Sequence, residues 1–168
     1  MKRSLLADAF AHHVWATVRL IDTCLELSPE QLDATSTGTY GSILLTMQHL
    51  VGADRSYLYA TSGGRAPLID RDRMDLRELR ATMETNGAVW SELLAEDPDP
   101  DLVIRHGRDE SETHAPMGIR LAQALHHGTD HRSQICTILT TLGVEPPFLD
   151  VWDYGDQAGQ VIEVPLTT

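Results

Sequence analysis

The chain has 168 residues, 42% hydrophobic and 5% aromatic, which suffices for one buried core and excludes wholesale disorder. Its 25 acidic and 13 basic residues give a formal net charge of −12, a field that repels phosphate backbones and anionic membrane surfaces. No apolar run approaches the roughly 20 residues that span a bilayer, and Asp8, His12 and His13 interrupt the start that Lys2 and Arg3 would give a signal segment. The expectation is a cytoplasmic protein with no nucleic-acid or membrane partner.

Residues 4–27, SLLADAFAHHVWATVRLIDTCLEL, set Leu6, Phe10, Val14, Ile21 and Leu25 on one helical stripe. Ser28-Pro29-Glu30-Gln31 reads as a cap, a first-turn proline and a new short turn, and residues 35–42, TSTGTYGS, as a loop. A second long helix is predicted over about 42–61, stopped by Gly63-Gly64, with a polar connection over 65–74. A third follows from about Asp75 to before Pro98, weakened in the middle by Gly87.

Residues 97–116 are the least helical stretch, with LVIRH and ETHA flanking a turn-rich GRDES, which leaves room for a short β-hairpin. The fourth long helix covers about 118–142 and is closed by Gly143, with Pro146-Pro147 beyond it. The tail has no clear period, though Phe148, Val151 and Trp152 are expected to cover a core edge. Cys24 and Cys136 lie far apart with no C-x-x-C pairing and read as buried free thiols. The expected fold is all-α, an up-down four-helix bundle forming one domain over residues 1–168, its links permitting an antiparallel or a crossover form.

HHGTDHRSQI, residues 126–135, interrupts the fourth helix with three histidines. The stripe Ala124, His127, His131, Ile135, Ile138 and Leu142 advances by three or four residues, so His127 and His131 stand on the inward face where leucine is the ordinary choice. At i and i+4 the two imidazoles can share one ion, whereas His126 lies about 100° round the helix. A third ligand should come from an inward position elsewhere. His49 on the second long helix fits, on a stripe of Leu45, His49, Gly52 and Ser56 whose small residues leave room for a ring. His12 and His13 are next, His13 sharing a stripe with Ala9, Ala16 and Leu20. His106 and His114 read as surface. One buried histidine is ordinarily a hydrogen-bonded core residue; three inward ones suit Zn²⁺, Ni²⁺ or Fe²⁺ with coordination positions to spare. Affinity for such an ion should fall as the pH drops through roughly 6.5.

The chain resembles the DinB/YfiT-like superfamily, through HLVGADRSYL from His49, HGTDHRSQI from His127, the tail GVEPPFLDVWDY and the first-helix AFAHHVWATVRLID. The resemblance implies a four-helix bundle that holds a divalent metal, often zinc or nickel, on three histidines matching His49, His127 and His131. It also implies homodimers, and thiol-dependent transferases or isomerases among characterised members. Asp54 stands where many relatives have glutamate.

The expected function is therefore a metal-dependent S-transferase or hydrolase acting on a small molecule, with a low-molecular-weight thiol as co-substrate of the former. A non-catalytic metal- or ligand-binding bundle is the alternative, and a fourth protein ligand, from His13 or Asp54, would mark it. Candidate catalytic residues are Arg132, Asp54 and His13. Arg132 and Arg55 are candidates for a substrate carboxylate or else solvated, and Gln134 for a hydrogen bond behind a ligand.

Overall fold

The computed structural model describes residues 6–108 and 111–164. Its four long helices are α1 (Ala7–Cys24), α3 (Ile43–Thr61), α4 (Leu76–Ala95) and α5 (Met117–Thr141), with short helices α2 (Pro29–Leu32) and α6 (Val151–Gln157). Residues 4 and 5 of the predicted first helix lie outside the described residues.

Local chemistry sets the boundaries. Ser28 and Asp75 form capping boxes with Gln31 and Glu78, and the Ser42 hydroxyl accepts the Leu45 amide, so α2, α4 and α3 begin where a side chain satisfies free amides. After α5, Gly143 adopts φ 73° while Val144 N–H reaches the Leu139 carbonyl, closing the helix. Gly87 does not break α4; a Cβ there would stand 3.0 Å from Val14 Cγ1, so glycine lets α1 and α4 approach closely.

Helix directions follow from the contacts. Phe10 meets Trp90, Val14 meets Gly87 and Asp22 meets Arg80, so α1 and α4 are antiparallel. His49 with His127, and Tyr57 with Gln123, make α3 and α5 antiparallel. The first halves of α3 and α4 share one core cluster and Leu58 and Trp90 further along share another, so these two run parallel. The bundle is thus the crossover form: the chain after α3 returns along it, through a 3-10 turn at Arg71–Arg73, before α4 starts. The expected hairpin is present as β1 (Val103–Arg108) against β2 (Ser111–Pro116), antiparallel, and Arg120 Nη2 donates to the Ile104 and Thr113 carbonyls to hold it on α5. Its turn residues 109–110 lie outside the described residues.

One apolar cluster gathers Leu20, Ile21, Met47, Leu50, Leu79, Met83, Ile135 and Ile138; the other gathers Phe10, Leu58, Trp90, Leu94, Met117 and Leu121. Between these heights along the helices come the buried polar residues His13, Thr17, Asp54, Asn86, His131 and Arg132. Burying so many polar groups costs stability unless they satisfy one another. No helix among the described residues is long and apolar enough to cross a membrane.

The tail differs from expectation. Phe148, Val151 and Trp152 are 71%, 59% and 75% exposed; Leu149 packs against the core instead. Asp150 caps α6 through the Trp152 and Asp153 amides, and that turn of helix directs its apolar side chains outward. Cys24 is buried as expected, but Cys136 is only half-buried.

Candidate metal centre

The i, i+4 spacing on α5 and the opposing α3 bring His49, His127 and His131 together, one ligand nitrogen from each lying within 4.8 Å of the others. His49 Nε2 is 3.0 Å from His127 Nε2. His131 is buried and the other two half-buried, so the group opens toward one side. No fourth carboxylate, thiol or imidazole joins it among the described residues. Burial, reinforced by His131 and by Arg71, holds His49 down to about 4; burial, His131 and His49 do the same for His127. Both rings are therefore neutral at neutral pH, the form that ligates a cation. Proton competition at these two rings sets in well below the value near 6.5 expected of ordinary imidazoles.

Second contacts orient the rings. His131 Nδ1 lies 3.1 Å from Gln134 Oε1, an acceptor, so Nδ1 carries the proton and Nε2 is free to face an ion. The same amide oxygen accepts Tyr40 N–H at 2.9 Å, which ties the loop before α3 to α5. The Tyr40 ring then stacks on His49, centroids 4.1 Å apart and planes 18° apart. His49 Nδ1 instead faces a donor, Arg71 Nη1, at 2.8 Å. That contact puts the His49 proton on Nε2, pointing at His127. Ligation through Nε2 requires that proton on Nδ1, so Arg71 must turn aside.

His13 and Asp54 do not join the group. Asp54 Oδ1 accepts from His13 Nε2 at 3.0 Å, Oδ2 accepts from Asn86 Nδ2 at 2.7 Å, and Trp90 Nε1 lies 3.2 Å from both oxygens. On its far side, His13 Nδ1 accepts from Arg132 Nη1 at 3.0 Å. The sequence Asp54–His13–Arg132 is a buried, charge-balanced relay through one neutral imidazole. Burial pushes the Arg132 guanidinium down to about 10, with Asp54 opposing the shift. Gly128 is the residue that admits His13, since a Cβ there would stand 2.3 Å from the ring.

Other expectations need revision. Arg132 and Arg55 are 4% and 7% exposed, not solvated helix residues. Leu45, placed on the inward stripe with His49, is 44% exposed because α3 buries Ile43, Met47, Leu50 and Val51 instead. Gly52 does not leave empty room beside the ring: Arg71 Cδ occupies it, 2.3 Å from where a Cβ would be. His126 is exposed, as is His114, while His106 is half-buried in the hairpin. His12 Nε2–H donates to the Leu149 carbonyl at 2.8 Å. Sequence reasoning missed Tyr40 and Arg71. A single aromatic in a loop of threonines and glycines was the available signal for Tyr40; Arg71 sits in RDRMD, where nothing distinguishes it from a solvated connection.

The DinB family's sequence model matches residues 1–163. Among solved structures, the chain is similar to a DinB-like protein from Bacillus cereus ATCC 10987. That match has 15% identity and a TM-score of 0.61, and covers 88% of this chain and 99% of the other. No curated protein matches the chain.

Proposed function

The chain belongs to the DinB family, and on that footing we propose that it is a metal-dependent enzyme acting on a small molecule, with His49, His127 and His131 as the ligands. The carrying observation is the convergence of three imidazoles with no fourth protein donor among the described residues, which leaves coordination positions for other molecules. The donor set suits zinc, nickel or ferrous iron. A divalent ion bound there supplies Lewis acidity, lowering the pKa of a water or thiol at an open position.

The protein's own residues do the positioning. Gln134 fixes the His131 tautomer, Tyr40 lies flat on His49, and the Tyr57 ring packs edge-on to His127 at 5.6 Å. Asp54 and His13 are buried and bonded to each other, so they hold the helices in register and take no part in proton transfer at the open face. Between transfer of a thiol and hydrolysis, we favour thiol-dependent S-transfer, because among the described residues no carboxylate joins the three imidazoles to serve as base for a water. The chain reads as one cytoplasmic domain over residues 1–168 that forms homodimers and uses a low-molecular-weight thiol as co-substrate.

Cobalt substitution tests this. Adding a small thiol to the cobalt-loaded protein should produce a sulfur-to-cobalt charge-transfer band. A spectrum that responds to azide but never to thiols would favour the hydrolase, and one that responds to neither would leave a non-catalytic bundle.

A further inference from the structure

On the other side of α5 from the inward histidine stripe, a cleft of about 370 Å³ opens between α1, α5 and residues 146–149, lined by His12, Thr129, Arg132, Ser133, Cys136, Pro146, Pro147 and Leu149. Its polar wall is unusual. Arg132 is 4% exposed, and its Nη1 is spent on His13 and on Thr17 Oγ1, while Nη2 donates once, to Thr129 Oγ1 at 3.2 Å. That leaves the Nε proton and one Nη2 proton of the guanidinium without a protein acceptor among the described residues. Thr129 Oγ donates to the Leu125 carbonyl, and Arg132 uses it as acceptor. Asp54 balances the Arg132 charge through the intervening His13 ring, and no carboxylate among the described residues bonds the guanidinium directly. His12 is held neutral by burial and its Nε2–H is committed to Leu149, which pins the roof of the cleft to α1. Asp150, next to Leu149 of the roof, is occupied in capping α6. The opposite wall, of two prolines and a leucine, is apolar.

We propose that this cleft is a binding site for a small organic carboxylate, its anionic end taken by the free N–H groups of Arg132 and its apolar part by Pro146, Pro147 and Leu149. A planar fork of donors fits a carboxylate in two-point contact, and a pocket of this size, mostly apolar with one convergent polar group, is the ordinary form of a small-molecule site. The site is independent of the three-histidine centre and of any metal there, although it uses a residue of the same helix.

Cys136 lines the cleft and reports on it. Iodoacetate and iodoacetamide form the same sulfur–carbon bond with loss of iodide, but only the former carries a carboxylate. A free small thiol prefers the neutral reagent, and a chain of net charge −12 should strengthen that preference. If the cleft binds carboxylates, iodoacetate alkylates Cys136 with saturating kinetics. Its rate relative to iodoacetamide then exceeds the glutathione ratio by about tenfold, the worth of one charge-assisted contact. Benzoate protects the thiol, and peptide mapping separates it from Cys24, which is 0% exposed. Arg132→Gln abolishes the preference and the protection. Because that buried change threatens the fold, Ser133→Phe, at an exposed position on the rim, gives the second arm: it blocks the cleft and removes the preference. A reagent ratio equal to that of glutathione, or a preference that survives Ser133→Phe, overturns the proposal.

Discussion

Replacing Asp54 by asparagine separates a structural carboxylate from a catalytic one. The wild-type oxygens receive His13, Asn86 and Trp90, and every one of those partners arrives as a donor. An amide at position 54 keeps one oxygen and turns the other into a donor. If His13 keeps its Nε2 proton, that proton competes for the remaining oxygen or meets an N–H₂. If His13 shifts the proton to Nδ1, it meets Arg132 Nη1, now 3.0 Å away and itself a donor. Only the Nε2–H tautomer facing the amide oxygen keeps both sides of His13 bonded; the amide N–H₂ then meets the Asn86 donor, and Arg132 loses its buried counter-charge. Breaking one partner of a buried pair costs about 3–5 kcal/mol, which for a chain of this size lowers Tm by roughly 6–20 °C. Urea and thermal unfolding followed by circular dichroism measure this directly. Bound metal per folded chain should stay unchanged, since Asp54 lies outside the histidine group. Wild-type stability in the variant, or loss of metal from a fully folded variant, would refute the reasoning.

His126→Ala should leave metal stoichiometry intact, because that ring is exposed and off the inward face; loss equal to that of His131→Ala in equilibrium dialysis would contradict it. Arg71→Met removes a donor that ligation must displace from His49 Nδ1, so zinc affinity should rise about fivefold, the equivalent of one hydrogen bond; weaker binding in a competition titration would show instead that Arg71 supports the site. Folding holds His49 and His127 below the ordinary value of 6.5, at about 4 each, so as pH falls the unfolded chain takes up their protons first. Their contribution to metal-free stability is therefore complete above about 6.5 and declines as pH falls toward 4. Chelated protein carrying both His49→Gln and His127→Gln should show a shallower loss of stability from pH 7 to 5 than wild type, and parallel curves would count against it.

The four long helices and the hairpin were legible because their determinants are local: apolar spacing, Ser42 and Asp75 caps, Gly63-Gly64 and Gly143 stops. The inward face of α5 was legible for the same reason, since i, i+4 geometry places His127 beside His131 without knowledge of the rest. What failed needed tertiary knowledge. Arg132 and Arg55 look like solvated helix residues until the polar middle of the bundle is seen to bury them. Gly52 looks like vacant space until the returning crossover lays Arg71 across it. Phe148, Val151 and Trp152 follow an apolar count that cannot foresee which way a seven-residue helix and the residues leading into it will turn. Asp54 and His13, named as the possible fourth ligand, are instead claimed by each other.

Metal binding by the three histidines is tested most directly by elemental mass spectrometry of the untagged protein beside His127→Ala. About one zinc, nickel or iron per wild-type chain, absent from the variant, is the expected result. No stoichiometric metal in wild type, even after zinc or nickel is added and excess removed, would make His49, His127 and His131 a polar cluster of the bundle and withdraw the ground for an enzyme.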